Sequence, residues 1–372
     1  MERLRKQMHD RVKSLATNVA RLSKLLTRER NTLPQAYLQD ADLREAYSAY
    51  FLPVNIRKIR IPLLELTLHP DGPVLKERLR ILDIGSGPGS ALLGVMEFFS
   101  EREPKPRLEF TALDQVAENL RAADEFFISS RDRSGLDATL QTVQSDIEDA
   151  ERLLHERFDV ILLSNVLNEL FPRHGERIVK RVAMLTSLLN KLLADDGSCI
   201  IIEPALRETS REMLEVRDGI LKNGFHVYSP CLFDGKCLAL ANPKDWCHED
   251  LAWEPPELIK EIDKLTGLRK DSLKFSYLVL RKDALSLSDV FGKNAFRVVS
   301  ERLVSKGKME FFICGPGGRR LCTRLAKDST SLNQAFENLK RGDVVKFERL
   351  LDEGKRLKVG KETAVQGLMS TT

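Results

Sequence analysis

Apolar residues recur every three or four positions at the start of the chain, a spacing that is typical of an amphipathic helix. The positions are Val12, Leu15, Val19, Leu22, Leu25 and Leu26. Asn31, Thr32 and Pro34 then interrupt the pattern, and these residue types commonly end helices. The sequence therefore predicts a helical N-terminal arm over residues 1–72.

From Arg80 to Arg281 the pattern changes, and short apolar runs alternate with helical stretches. The predicted strands are residues 81–84, 108–113, 140–143, 158–163 and 198–202. Alternation of this kind predicts an α/β fold with a doubly wound parallel sheet, because each helix carries the chain back to the next parallel strand. We assign this sheet to residues 73–285.

The alternation breaks after residue 228, and the next strand-like run is Phe275–Leu280. We interpret residues 229–272 between them as a cysteine-rich insertion. Beyond it, short β-rich runs at 296–299, 311–313 and 344–347 are separated by glycine turns. They predict a small C-terminal β-domain, a barrel or a sandwich, over 286–350, followed by a loose tail over 351–372.

The composition is that of a folded chain, and the distribution of charge adds a candidate partner. The 372 residues are 42% hydrophobic, which is enough for a sizeable core. No apolar run approaches the ~20 residues of a membrane-spanning helix, so we expect a soluble protein without a membrane partner. The net charge of +4 hides two basic stretches, in the first thirty residues and across Lys293–Arg324. Nucleic acid is a candidate partner, although solvated helix faces explain such runs as often.

The strongest local signal is the run Arg80-Ile-Leu-Asp-Ile-Gly-Ser-Gly-Pro-Gly-Ser90, a strand that enters a glycine turn and then a helix. Glycines let the backbone approach a ligand, and the helix N-terminus supplies N–H donors. A dinucleotide fingerprint has its third glycine one residue later than Gly89. The loop, with Asp83, Gly85 and Gly87, therefore favours S-adenosylmethionine as the ligand.

Two further acidic residues follow neighbouring strands. Asp114 ends the second strand, at about the interval where a carboxylate meets ribose hydroxyls. Asp146 follows the third strand, where such folds place a group that reaches the adenine amine. A tight β–α turn with two solvated carboxylates is the alternative interpretation.

The residues for methyl transfer are harder to assign. Most nucleobase N-methyltransferases carry an Asn/Asp-Pro-Pro-aromatic loop after the fourth strand, whereas this chain has Ser164-Asn-Val-Leu-Asn-Glu-Leu170. Asn165 and Glu169 are candidates to face the methyl group, but a helix-start Asn and an ordinary helical Glu explain them as well. We assign no catalytic residue, and enzyme activity is left open.

Three cysteines fall within seventeen residues, as Cys231-x5-Cys237-x9-Cys247. Such clustering in a chain with few cysteines favours a metal over disulfides, and four ligands are normal. Cys199 lies in an apolar strand and is interpreted as a core residue, so Cys314 or Cys322 would complete the set. We prefer Cys314, which precedes a glycine turn. Spacing does not separate zinc from an iron–sulfur cluster, and a site without metal is a third possibility.

These motifs together give the chain a family resemblance. The glycine loop, residues 164–170, the cysteine stretch 230–248, the strand 274–280 and the late Gly342-Asp343 occur in order. The chain resembles the methyltransferase-like assembly factors of the mitochondrial small ribosomal subunit and their bacterial relatives, from about Ser23 to Phe347.

The resemblance implies a class I S-adenosylmethionine methyltransferase-like fold, a [4Fe-4S] cluster and a role in small ribosomal subunit assembly through contact with its rRNA. By position it implies Cys231, Cys237, Cys247 and Cys314 as cluster ligands and residues 83–89 as the cofactor loop. The chain departs from the family around these cysteines: Leu232-Phe233 replace Pro-His, Leu238 replaces Pro, and Glu249 replaces an aromatic residue.

The resemblance begins close to the first residue, and Glu2 and Asp10 are unlike a transit peptide, so we expect a bacterial-type cytoplasmic protein. We expect a monomer when the protein is free of the subunit. Two other functions remain open from sequence: an RNA methyltransferase with structural zinc, and a methyltransferase acting on a small molecule or a protein.

Overall fold

The computed structural model of the chain describes residues 2–29, 37–172 and 174–370. The predicted interruption at Asn31, Thr32 and Pro34 lies outside these residues. The N-terminal arm is helical as predicted. Its helices are α1 (Glu2–Thr27), α2 (Ala41–Ala46), α3 (Leu52–Ile56) and α4 (Arg60–Leu66), with a π-helical turn at Tyr47–Phe51 and 3₁₀ turns at Tyr37–Gln39, Arg57–Ile59 and Pro73–Leu75.

The central domain is built on one eight-stranded sheet. Its strands are β1 (Arg78–Ile84), β2 (Arg107–Asp114), β3 (Ala138–Gln144), β4 (Phe158–Ser164), β5 (Leu193–Pro204), β6 (His226–Ser229), β7 (Glu249–Ala252) and β8 (Ser272–Arg281). The strand order is β3-β2-β1-β4-β5-β8-β6, and β7 also pairs with β8. All five predicted strands of the first half lie within β1 to β5.

One part of the sheet differs from the sequence prediction. Strands β1 to β5 are parallel, but β8 runs antiparallel to β5, β6 and β7. A reversed strand inserted between β5 and β6 gives the strand order of the class I S-adenosylmethionine methyltransferase fold. The predicted fold class is therefore confirmed, and the direction of β8 is a detail that the sequence pattern did not give.

Helices cover both faces of the sheet, as a doubly wound fold requires. Successive residues of β4 alternate between two cores: Val160 and Leu162 belong to one, Ile161 and Leu163 to the other. The N-terminal arm and α5 cover the first face, and α8 and α9 cover the second. The helices after the arm are α5 (Ser90–Ser100), α6 (Ala117–Ser134), α7 (Ala150–Leu153), α8 (Arg177–Leu192), α9 (Arg207–Leu221), α10 (Glu257–Thr266) and α11 (Leu287–Phe291).

The segment between β6 and β8 packs on the arm and on the C-terminal domain. It holds a 3₁₀ turn at Leu238–Ala241, strand β7 and helix α10, which lies against α1. Val19 and Leu22 of α1 are fully buried, so the amphipathic pattern of the first helix serves this packing.

The C-terminal domain is a second eight-stranded sheet. Its strands are β9 (Ala295–Val298), β10 (Leu303–Ser305), β11 (Lys308–Gly315), β12 (Gly318–Leu325), β13 (Val344–Glu348), β14 (Leu351–Asp352), β15 (Arg356–Val359) and β16 (Ala364–Met369). The last three strands lie in the stretch where the sequence predicted a loose tail. Each pairs with a neighbour, and Val359 and Val365 are buried in the domain core. The C-terminal residues through Met369 therefore complete the β-domain.

A buried ion pair joins the arm to the β-domain. Glu65 of α4 and Arg297 of β9 form this pair, and both side chains are almost completely buried. Tyr277 of β8 donates its hydroxyl to the second oxygen of Glu65 at 2.7 Å. Arg297 also donates to the Pro230 carbonyl at 2.9 Å and to the Gly342 carbonyl at 3.1 Å. This Glu65–Arg297 network connects the arm, the sheet, the cysteine-containing segment and the β-domain.

Candidate functional site

The glycine loop joins β1 to α5 with three left-handed residues. Gly85, Gly87 and Gly89 have φ angles of 61°, 53° and 85°, which residues with a Cβ rarely adopt. A Cβ on Gly85 would lie 2.5 Å from a methyl carbon of Val166, whereas a Cβ on Gly87 would meet no atom within 4 Å. The loop is thus closed by packing at Gly85 and open at Gly87, where a ligand has room to approach the backbone.

Asp114 lies beside this open turn. One carboxylate oxygen accepts the Gly87 N–H at 2.8 Å, and the other accepts the Val116 N–H at 2.9 Å and the Asn119 side-chain amide at 3.1 Å. A carboxylate offers about four acceptor positions, so one remains for a ligand hydroxyl. Burial raises the pKa of Asp114, and the hydrogen bonds from Val116 and Gly87 oppose that rise.

Asp83 and Asp146 flank the same edge of the sheet. One oxygen of Asp83 accepts the Leu92 N–H at 3.3 Å, and the other is buried without a hydrogen-bond partner among the described residues. Burial raises the pKa of Asp83 to about 7. Asp146 caps the 3₁₀ turn Ile147–Asp149 through the Glu148 N–H at 3.0 Å and stays half-buried. A ligand with hydrogen-bond donors fits this site: the turn is open at Gly87, Asp114 has one acceptor position left, and one oxygen of Asp83 has no partner among the described residues. S-adenosylmethionine is such a ligand.

Polar side chains of the N-terminal arm lie over the start of α5. Tyr47 accepts the side-chain amide of Asn55 at 3.1 Å, and Asn55 accepts the Lys58 amine at 2.7 Å. Burial raises the pKa of Tyr47, and Asn55 and Ser90, the first residue of α5, oppose that rise. Burial lowers the pKa of Lys58 to about 7, and the charge of Lys270 adds to this. The arm therefore belongs to the site, which the sequence pattern did not indicate.

The loop after β4 differs from the helix-start interpretation of Asn165. Asn165 has a φ of 62° and donates its backbone N–H to the Ile202 carbonyl at 2.8 Å. The following turn, Leu167–Glu169, begins after Val166, so Asn165 is not its cap. The sequence pattern did not single out Asn168 and Phe171, which lie in the same loop. Their spacing, an Asn followed by an aromatic residue three positions later, was the available signal.

The four cysteines singled out as ligands come from four places in the fold. Cys231 follows β6, Cys237 precedes the Leu238–Ala241 turn, Cys247 precedes β7, and Cys314 lies in β11. The β11–β12 turn touches the cysteine-containing segment directly, because a Cβ on Gly318 would lie 2.7 Å from Leu238.

The thiols of these residues influence one another. Burial raises the pKa of Cys314 to about 12, and the charges of Cys231 and Cys237 add to the rise. Burial also raises the pKa of Cys247 well above its ordinary value, with contributions from the other three cysteines. Within the described ranges, however, no group of three or more His, Cys, Asp or Glu side chains is arranged to hold a metal ion. The four cysteines are gathered in one region without forming a compact single-ion site.

The other two cysteines are separate from this region. Cys199 is fully buried in β5, and Cys322 is fully buried in the core of the β-domain. Burial is the one cause of the raised pKa of each thiol. Arg217 of α9 belongs to the Cys231 region instead. Burial lowers the pKa of Arg217, but the charges of Cys231 and Asp218 outweigh this and raise it overall.

The basic stretch of the β-domain is mostly engaged within the protein. Arg324 is buried and donates to Asn333 at 3.0 Å, Arg319 pairs with Asp245, and Arg320 pairs with Asp352. Lys308 pairs with Glu310 at 2.7 Å, while Lys306 is exposed. A run of basic residues in the sequence does not show which of the side chains are buried or paired in the fold. Lys6 and Lys13 of α1 are exposed, and so the N-terminal stretch presents more accessible charge.

No helix in the described ranges is long and apolar enough to cross a bilayer. The model of the family described as mitochondrial small ribosomal subunit Rsm22 matches residues 75–346. No curated protein matches the chain significantly.

Solved structures resemble the chain only distantly. A complex of the plantazolicin methyltransferase BamL with SAH is 15% identical, with 74% of this chain and 99% of that chain covered and a TM-score of 0.37. A putative class I S-adenosylmethionine-dependent methyltransferase from Listeria monocytogenes is 12% identical, with coverages of 74% and 91% and a TM-score of 0.36. An rRNA methylase from Streptococcus thermophilus is 10% identical, with coverages of 56% and 88% and a TM-score of 0.29.

Proposed function

The chain belongs to the Rsm22 family of the mitochondrial small ribosomal subunit, and from this premise we propose that it is an S-adenosylmethionine-binding factor of small ribosomal subunit assembly. The observation that carries donor binding is the open turn at Gly87 beside a carboxylate with one acceptor position left. We further propose that the protein contacts the subunit's rRNA and holds a [4Fe-4S] cluster. The predicted domain boundaries, the cytoplasmic location and the free monomer stay predictions.

The donor would be held by three groups at the ends of neighbouring strands. The loop from Asp83 to Gly89 offers its backbone, Asp114 accepts a ribose hydroxyl, and Asp146 reaches the adenine amine. S-adenosylmethionine supplies an activated methyl group when it is bound. The arm covers the site through Tyr47 and so limits the access of water. Methyl transfer requires that water be excluded from the reacting atoms.

Replacing Gly87 by Val should weaken binding of S-adenosylmethionine at least tenfold, because the side chain would occupy the open turn that the ligand approaches. Asp114→Ala should also weaken it, through the lost ribose contact. Isothermal titration calorimetry measures both effects.

Gly135→Val is the matched control for strain. Gly135 has a φ of 64°, and a Cβ there would also meet nothing within 4 Å, but it caps the far end of α6. This variant should bind the donor as the parent does. Equal affinity in the parent, Gly87→Val and Asp114→Ala proteins would reject the donor site.

The cluster proposal rests on the number of the thiols and on the family to which the chain belongs. The charges of the other three cysteines contribute to the raised pKa of Cys247, which supports placing the four thiols in one region. The described residues contain no group arranged to hold a single metal ion, and so the choice of [4Fe-4S] over zinc follows from the family resemblance. Cys231, Cys237, Cys247 and Cys314 would be the ligands, with Arg217 offsetting their negative charge.

The RNA contact is proposed for the exposed face of α1 and for Arg28, which directly follows the helix. Reversing Lys6, Lys13 and Arg28 to Glu should weaken binding to small-subunit rRNA at least tenfold. It should also lower the slope of log affinity against log salt by about 2, since each phosphate contact contributes roughly 0.7–0.9. Filter binding over a range of salt concentrations measures both quantities.

Reversal of Lys327, Lys355 and Lys361, three exposed lysines of the β-domain, serves as the control and should leave the slope unchanged. If the α1 variant and this control lose affinity equally, the contact is not specific to α1.

A further inference from the structure

Asn168 is a buried polar side chain that the fold does not use. Its residue is 9% exposed, and both its amide nitrogen and its carbonyl oxygen lack hydrogen-bond partners among the described residues. Burying an unpaired amide costs stability, and such groups in native proteins commonly serve a ligand. Asn168 is therefore a candidate for binding a molecule that the donor site alone does not explain.

The backbone around Asn168 is held firmly in an unusual shape. Arg181 of α8 is buried and donates to the Leu170 carbonyl at 2.9 Å and to the Asn168 carbonyl at 3.0 Å. Glu212 of α9 accepts from Arg181 at 2.6 Å, which fixes the guanidinium. Phe171 has a φ of 52°, a conformation that persists in a bulky residue only where its surroundings impose it.

This segment adjoins the donor loop. Val166 packs against Gly85, so closely that a Cβ on the glycine would collide with it. Burial raises the pKa of Tyr47 in the arm, and the charges of Glu169 and Asp83 add to this rise. The segment after β4, the donor loop and the arm thus meet at the carboxyl edge of the sheet, where ligands bind in open α/β folds.

The side chains of this segment suit one kind of methyl acceptor. The run Asn168-Glu-Leu-Phe171 keeps the asparagine-to-aromatic spacing of an Asn-Pro-Pro-aromatic loop. The two prolines are absent, and Arg181 provides the rigidity instead. An asparagine amide presents one acceptor and two donors, which pair with the amine and ring nitrogen of adenine or cytosine. The half-buried ring of Phe171 offers a stacking surface for an unpaired base.

We propose that Asn168 and Phe171 bind an amino-bearing nucleobase of RNA, adenine or cytosine, next to the methyl donor. This inference rests on the proposed donor and RNA binding and names the group that the site takes. The base lies with its amine on the Asn168 amide and its face on the Phe171 ring.

The test compares nonamer RNAs that differ at one position: U4-A-U4, U4-C-U4 and U9. With S-adenosylhomocysteine present, the parent should bind the A or the C nonamer about tenfold more tightly than U9, a difference of about 1.4 kcal/mol. Asn168→Leu should abolish this preference by weakening the binding of the preferred nonamer. Phe171→Gly, which removes the ring and relieves the positive φ, should weaken binding of all three nonamers.

A melting measurement separates binding from a structural role. Asn168→Leu should melt at the same or a higher temperature, because it removes an unpaired buried amide. Asn333→Leu is the matched control: Asn333 is fully buried, but its amide donates to the carbonyls of Asp328 and Gly360 at 2.9 and 3.0 Å. That control should melt several degrees lower.

Three results would overturn the proposal. They are equal affinity of the parent for all three nonamers, a preference that survives in Asn168→Leu, and a loss of melting temperature in Asn168→Leu as large as in Asn333→Leu. A short peptide whose glutamine binds in an Asn168-dependent manner would replace the nucleobase with a protein acceptor. Failure of the parent to bind S-adenosylhomocysteine would reject the donor site instead, and the nonamer comparison without it would still test Asn168.

Discussion

Arg297→Met is expected to lower the free energy of unfolding by about 3–5 kcal/mol, the usual cost of leaving one partner of a buried ion pair alone. Arg297 is 1% exposed, and its guanidinium serves Glu65 and two backbone carbonyls from different parts of the chain. Without it the Glu65 carboxylate keeps the Tyr277 hydroxyl as its one hydrogen-bond partner among the described residues, and the buried Glu249 carboxylate also loses its nearby cation. Chemical denaturation at pH 7.5, followed by circular dichroism, measures the change.

The double variant Glu65→Gln/Arg297→Met should lose less stability than the two single variants added together, since the unpaired Glu65 charge is then gone. Arg320→Met is the control. Arg320 also pairs with a carboxylate, but its partner Asp352 is 61% exposed, and we expect a cost below about 1 kcal/mol. A similar loss for Arg297→Met and Arg320→Met would show that the Glu65–Arg297 network does not hold the β-domain in place.

Cys314→Ser is expected to abolish an iron–sulfur cluster that the parent retains when it is purified without oxygen. The parent should be brown and contain about four irons per chain, as a [4Fe-4S] centre requires. Because metal binding contributes to folding, its loss should expose residues 231–248 to protease, while the Glu65–Arg297 network keeps the β-domain docked. Visible absorbance, iron analysis and limited proteolysis give the three readouts.

Cys322→Ala is the control for this experiment. Cys322 is fully buried in the core of the β-domain, so serine would place a hydroxyl among apolar side chains, whereas alanine removes only the sulfur. This variant should keep its iron and its protease resistance in residues 231–248. A colourless parent with stoichiometric zinc would replace the cluster with zinc, and full iron in Cys314→Ser would remove Cys314 from the ligand set.

The local patterns of the chain were enough to predict most of the elements. Apolar residues repeat every two positions in strands and every three to four in helices, and neighbouring residues are enough to show this repeat. Strands β1 to β5 and the first helix could therefore be predicted from sequence. The glycine loop was also readable, because a turn with left-handed residues needs glycines at defined positions. The same applies to Asp114, whose place at the end of a strand fixes it beside that turn.

Only the tertiary structure decided the features that depend on partners far apart in sequence. A strand pattern carries no direction, and the reversal of β8 comes from its pairing with β5 across the sheet. Residues 364–369 form a strand because β13 is there to pair with them. Arg324 is basic in the sequence but buried in the fold, where Asn333 and Glu337 accept hydrogen bonds from its guanidinium.

The Glu65–Arg297 pair spans 232 residues, and the unpaired state of Asn168 follows from where Arg181 and Val166 hold its loop. Local propensity is set by neighbouring residues, whereas burial, charge pairing and strand direction are set by residues that meet only when the chain has folded.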